Sequence, residues 1–243
     1  MESIVYKVLK DFKSGSEELL LTFLKGVLTS RKKIEKEEFL KAVSKIIEAH
    51  PSMAVFYKLM EETVKIPEDK LKDFLIDLTR KVEEAPKKIS EKVYPLLKDK
   101  KSILLHSRSS TVIKVLREIK KMDKNFNPFI YCTESRPGDE GRLAEKELKK
   151  ADFQTDLIPD LYVTKIIDKL NAIIFGADAV YEDKIINKVG TYSLVLIGNH
   201  FKVPSFCLTS RMKISNNFKN LPKTNEFFEE VPKKLIDNFI TDE

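Results

Sequence analysis

Several short polar stretches in this chain follow apolar runs of β type and carry residue types that chemistry needs. His106-Ser107-Arg108-Ser109-Ser110 comes directly after Ile103-Leu104-Leu105. Ser109, Ser110 and Thr111 open a helix there, offering free backbone N–H groups and hydroxyls to an anion such as a phosphate, with Arg108 adding charge. Capping of that helix alone also accounts for Ser109 or Ser110. Arg136, between Glu134 and Pro137, either forks onto a phosphate or carboxylate or makes a salt bridge to Glu134 or Glu140. Asp178 closes the apolar run Ala172-Ile173-Ile174-Phe175 through Gly176 and Ala177. It is either a carboxyl shifted into the acid/base range by partial desolvation or a turn aspartate. Asn187-Lys188-Val189-Gly190-Thr191 places an amide, a cation, a flexible glycine and a cap-like hydroxyl before an apolar helix, the grammar of a polar ligand site. Asp156 and Asp160 read as turn or cap residues.

The elements that position these residues follow from periodicity. Phe39, Leu40, Val43, Ile46 and Ile47 form one helical stripe, and Leu71, Phe74, Leu75, Leu78 and Val82 form another after Pro67. Ser14-Gly15-Ser16-Glu17 offers a helix start and His50-Pro51-Ser52 a break, so residues 1–98 read as an all-helical domain. From Ser102 onward, short β-type runs alternate with helical stretches, which argues for parallel βαβ units. The expected architecture is α/β: a helical domain, then a mainly parallel sheet with helices on both faces over residues 99–243. Ligands of open α/β sheets bind past the carboxyl ends of the strands, where the polar stretches fall. Phe218, Leu221, Phe227, Phe228, Leu235, Ile236 and Phe239 make the last segment too apolar for a free tail, so it is expected to pack on the α/β domain or on a partner.

Composition narrows the classes further. The chain has 243 residues, 42% hydrophobic and 34% charged, enough for one large domain or a large and a small one. No apolar stretch approaches the ~20 residues of a membrane helix. The first seven residues already meet charge and lack a signal-peptide pattern, so the cytoplasm is the expected address. Cys132 and Cys207 lie inside apolar runs and read as core, and with only three histidines there is no metal-ligand cluster, so neither metal nor cofactor is expected. The net charge is +6, and residues 1–100 hold half of that excess, with 21 Lys+Arg against 18 Asp+Glu. That even spread argues against nucleic acid as the main partner, although folding can still gather charge on one face.

Taken together, Thr133-Glu134-Ser135-Arg136-Pro137, Glu140-Gly141-Arg142, Gly176-Ala177-Asp178-Ala179-Val180 and Ile186-Asn187-Lys188-Val189-Gly190-Thr191 resemble the ordered motifs of one superfamily. It unites the translation initiation factor 2B α/β/δ subunits with methylthioribose-1-phosphate and ribose-1,5-bisphosphate isomerases. The resemblance covers roughly residues 102–214. It implies a Rossmann-like C-terminal domain, homodimerisation through it, and a pocket for phosphorylated sugars or nucleotides between the two domains. The isomerases of the superfamily turn an aldose 1-phosphate into a ketose with a cysteine and an aspartate. The aspartate matches Asp178, whereas the cysteine position holds Ser107, whose hydroxyl titrates far outside the useful range. The isomerases' N-terminal Arg-Gly-Ala phosphate contact is replaced by Lys13-Ser14-Gly15-Ser16, where Lys13 and Gly15 substitute in part. The chain is also shorter than the family's isomerases lead one to expect.

These departures lead to the expectation of a translation initiation factor 2B-subunit-like protein that binds a phosphorylated sugar or nucleoside monophosphate in a regulatory role. The expected ligand-binding residues are Gly15, Arg108, Ser109, Arg136, Asn187, Lys188, Gly190 and Thr191. Its partners are expected to be a second copy of itself and translation initiation factor 2. The alternative is an aldose-ketose sugar-phosphate isomerase with Asp178 and Ser107 as its catalytic pair. A third reading is a protein-interaction module without a small ligand.

Overall fold

Apolar residues spaced at three and four positions put one greasy stripe on each N-terminal helix, and the stripes can be buried only against one another. The computed structural model describes residues 2–11, 14–30, 33–214 and 226–243. Helices α1 (Glu2–Leu9), α2 (Ser16–Leu28), α3 (Lys36–Ala49), α4 (Ala54–Val64) and α5 (Leu71–Leu97) come first. Phe23, Phe39 and Phe56 meet at the centre of this bundle, with ring centroids 5.5 and 6.3 Å apart. Lys13 lies outside the described residues.

The 27-residue helix α5, about 40 Å long, is shared between two cores. Leu71, Leu75, Leu78 and Val82 belong to the helical core, whereas Ile89, Val93 and Leu97 lie on the sheet. Pro86 falls between the two sets.

The second half alternates as β1 (Ser102–Leu105), α6 (Ser110–Met122), β2 (Phe129–Thr133), α7 (Gly141–Lys149), β3 (Thr155–Ile158), α8 (Val163–Ile166), β4 (Ala172–Phe175), β5 (Ala179–Val180), β6 (Lys184–Lys188), α9 (Thr191–Phe201) and β7 (Ser205–Leu208), followed by β8 (Phe228–Pro232) and β9 (Asn238–Ile240). Six strands form a parallel sheet in the order β3-β2-β1-β4-β7-β9. The period-two alternation decides its faces: Ile103 and Leu105 pack under α5, α6 and α7, and Leu104 packs on the opposite side with α8 and α9. The order reverses direction between β1 and β4, and such a switch point opens a crevice beyond the strand ends.

Two features lay beyond the periodicity. Strands β5, β6 and β8 make a small antiparallel sheet in which Ala179 faces Ile186 and Lys188 faces Phe228. The described part of the C-terminal segment supplies β8 and the sixth strand β9, so it packs on the α/β half. Phe218 and Leu221 lie outside the described residues. Asp156, read from the sequence as a turn or cap residue, instead lies within β3.

Asp237 clamps β9 to its neighbour. Its Oδ2 accepts from the Ser205 N–H at 2.8 Å and from Ser205 Oγ at 2.9 Å, and its own N–H donates to Ser205 Oγ at 3.0 Å. Asp237→Ala is expected to lower unfolding stability by about 1 kcal/mol with an unchanged urea m-value. An unmoved urea midpoint would show that the clamp is dispensable.

Candidate functional site

At the switch point, the segments following β1 and β4 come together, and the start of α2 closes over them from the helical half. The resulting cleft encloses about 50 Å³ and is lined by Gly15, Ser16, Ser107, Arg108, Ser109, Ser110, Gly176, Ala177, Asp178, Asn187 and Lys213. That is the room of one or two water molecules, with a mouth open to solvent.

Two helix N-termini converge on it. Ser109 caps α6, its Oγ accepting from the Val112 N–H at 3.3 Å, and Gly15 caps α2, its N–H donating to Glu18 at 2.9 Å. Each start carries unpaired N–H groups and the positive end of a dipole. Their approach requires glycine: a Cβ at Gly15 would come 2.8 Å from Ser110 Oγ, and one at Gly176 would overlap Ser109 Oγ. Thr111 Oγ1 donates to the buried Glu17 at 2.8 Å, which fixes the two starts against each other.

Ser107 occupies the left-handed region, with φ of 66°, a conformation that costs a non-glycine residue about 1 kcal/mol. Its N–H donates to Ser135 Oγ at 2.9 Å, and its hydroxyl donates to Glu140 at 3.1 Å. Glu140 is in turn paired at 3.0 Å with the buried Lys188. The hydroxyl therefore faces a carboxylate that is already neutralised by a cation.

Asp178 is half-buried, and its N–H donates to the Ile186 carbonyl at 2.8 Å. Burial pushes its carboxyl above the ordinary range; the charge of Lys213 opposes that shift and the charge of Glu140 adds to it. Lys213 is buried and donates to the Ala177 carbonyl at 2.7 Å. Arg108 is held by Glu147 at 2.7 Å and Glu18 at 3.6 Å.

The structure brings Gly15, Ser107, Arg108, Ser109, Asp178 and Asn187 together around the cleft, with Lys188 one step behind through Glu140. Gly190, at φ of 101°, and Thr191 begin α9, where Thr191 Oγ1 accepts from Asn187 at 2.9 Å and donates to the Lys188 carbonyl at 2.6 Å. They shape the Asn187–Lys188 turn and do not line the cleft. Arg136 lies elsewhere: its side chain is 58% exposed, 3.3 Å from Glu134 and 3.7 Å from Asp139. Its backbone N–H and that of Ser135 both donate to Asp160 at 2.8 Å, so that aspartate holds the loop. His106 is buried between Thr133 and the Val189 carbonyl, and burial pushes its imidazole below the ordinary value. Cys132 and Cys207 are buried free thiols pushed up to about 12, so neither supplies a nucleophile. Sequence reading missed Lys213 and the role of Glu140 as a bridge. The first follows the polar end of β7 by a few residues, the one signal by which the sequence marks it.

Fold and site together define a doubly wound α/β protein with a polar cleft at its switch point, roofed by a helical half. The chain belongs to the Initiation factor 2 subunit family, whose model matches residues 13–232. It is 28% identical over 213 residues to a translation initiation factor eIF-2B subunit 2-like protein of Pyrococcus horikoshii, covering 81% of this chain and 76% of that one. It is also 31% identical to the ribose 1,5-bisphosphate isomerase of Archaeoglobus fulgidus, over 59% of this chain and 44% of the isomerase. The fold matches the crystal structure of Pyrococcus horikoshii translation initiation factor eIF-2B, with a TM-score of 0.82 at 23% identity, covering 99% of this chain and 94% of that one. Among the described residues, no helix is long and apolar enough to cross a membrane.

Asp178 provides a direct test of the electrostatics. A carboxyl raised by burial costs the fold stability once it ionises, and that cost disappears when both folded and unfolded states are protonated. Asp178→Asn is therefore expected to raise the melting temperature at neutral pH, with the gain fading as pH falls toward the ordinary aspartate value of 3.8. Melting curves of the two proteins that stay parallel across that window would remove the assignment.

Proposed function

We propose that the cleft binds the phosphate of a phosphorylated sugar or nucleoside monophosphate without converting it. In this reading the chain is a cytoplasmic, eIF2B-subunit-like regulatory protein, acting as a homodimer or within a hetero-oligomer and engaging translation initiation factor 2. The observation that carries it is the convergence of the α2 and α6 N-termini, with the Ser109 and Ser110 hydroxyls and Arg108, on one small polar cleft. Backbone N–H groups at a helix start bind phosphate even where nearby cations are already paired. The enclosed space admits the leading oxygens of the anionic group, and the rest of the ligand occupies the mouth. The Ser107 hydroxyl, committed to a Glu140 already neutralised by Lys188, is a poor proton carrier. The match to an eIF-2B subunit 2-like relative over 81% of the chain supports the regulatory role.

The isomerase reading keeps one observation in its favour. Asp178 is a half-buried carboxyl with a raised pKa in the cleft, the kind of group that acid/base work at neutral pH requires. Exposed Arg136 is where an interaction module without a small ligand would make contact.

An NMR time course with ribose 1,5-bisphosphate, methylthioribose 1-phosphate and AMP, each in turn, separates these readings. Line broadening of at least one ligand without ketose formation is expected, and Gly176→Ala, which drives a Cβ into Ser109, should weaken that binding at least about tenfold. Ketose formation lost in Asp178→Asn would replace the binding reading with the isomerase. Neither broadening nor product with any of the three would overturn both.

A further inference from the structure

The opposite end of the sheet, where the strands begin, carries a surface that the cleft chemistry does not use. The loops entering β1, β2 and β3 are residues 98–101, 123–128 and 150–154. Those three strands are neighbours in the sheet, about 4.8 Å apart, so the loops stand side by side along one rim.

Residues 98–101, 117–128 and 149–154 hold nine Lys or Arg against four Asp or Glu, a net +5 in a chain whose total is +6. Charge that is even along the sequence is thus concentrated in space, because three successive helices, α5, α6 and α7, each lead into lysines at the same edge. Lys121 is answered by Glu118 at 2.6 Å and Lys149 by Glu145 at 2.7 Å. Among the described residues, Lys98, Lys100, Lys101, Lys124 and Lys150 have no ion-pair partner.

Two troughs lie along this rim. One of about 420 Å³ is lined by Arg117, Lys120, Lys121, Lys124 and Lys150, with Asp152 as its one acid. The other, about 540 Å³, is lined by Lys98, Lys100 and Lys101, with Asp99 as its one acid, together with Asn127 and the half-buried ring of Phe129. Lys120, 3.4 Å from Asn127, joins them. A free phosphate would occupy one point of such a surface. A chain of phosphates would follow all of it, and an aromatic ring beside a cationic groove adds a stacking platform for a base, which an acidic peptide does not use.

We propose that this rim binds single-stranded RNA, with phosphates along the unpaired lysines and a base against Phe129. The site is independent of the switch-point cleft and of whatever that cleft holds.

The test is fluorescence anisotropy of the full chain with a labelled oligouridine of roughly a dozen nucleotides. About five neutralised phosphates should cost about 100-fold in affinity between about 50 and about 200 mM salt. Lys98→Glu/Lys100→Glu/Lys124→Glu should weaken binding at least about tenfold and flatten the salt dependence, with the melting temperature and the Asp178 pH response unchanged. Phe129→Leu should weaken binding while leaving the salt slope intact. Absence of binding at about 50 mM salt, or unaltered binding by the folded triple variant, would overturn the proposal. Competition by polyglutamate as strong as by unlabelled RNA would overturn it too, and assign the rim to an acidic protein.

Discussion

The hydrogen bond from Thr111 to Glu17 ties together everything that gives the cleft its character. It is buried, it joins the first turn of α6 to the first turn of α2, and one of its partners is a carboxylate placed where two helix dipoles point their positive ends. Together with the Arg108–Glu18 pair at 3.6 Å, it sets the separation of the two starts. Gly15 is seated against Ser110 beside it, so that both helix starts face the cleft. A hydrogen bond to a charged group is stronger than a neutral one, and removing one partner strands the other away from water. The helical half is therefore a structural part of the site and more than a cover for the sheet.

The same logic explains why the cleft is cation-rich in sequence but electrically balanced in space. Lys188 is bound to Glu140, Arg108 to Glu147 and Glu18, and Lys213 stands beside Asp178. Buried cations need such partners, since an isolated charge out of water costs more than any contact it makes. A ligand anion must therefore rely on backbone dipoles or displace a carboxylate from its lysine. Ser107 stands at the centre of this arrangement, its backbone strained and its hydroxyl committed to the one acid that Lys188 already serves.

Much of the architecture was legible because its signals are local. The stripe through Leu71, Leu75, Leu78 and Val82 and the alternation of Ile103, Leu104 and Leu105 report their own environments, and each polar strand end could be placed by its position after an apolar run. What escaped the sequence is what depends on distant partners. Strands β5, β6 and β8 are short, and β5 and β8 meet only through β6, across a long stretch of chain. Glu140 reads in sequence as a partner for Arg136, and only the fold brings Lys188 to it instead. Arg136 illustrates the reverse: its type and neighbours suit an anion ligand, yet Asp160 grips the backbone of its loop and the guanidinium faces Glu134 and Asp139. The lysines of the strand-entry rim were visible singly, and only the sheet order makes them a surface.

Helix α5 also sets how the two halves can move. It is a single elastic rod embedded at one end in the helical core and at the other in the sheet, so the halves are not two bodies swivelling on a loose tether. A rod bends most easily where its internal bonding is broken, and a proline removes one rung of the ladder. Pro86 does so at the junction, after Val82 in one core and before Ile89 in the other. The helix is thus most weakly bonded internally at the turn where it passes from one core to the other, while its two ends are each seated in packed side chains.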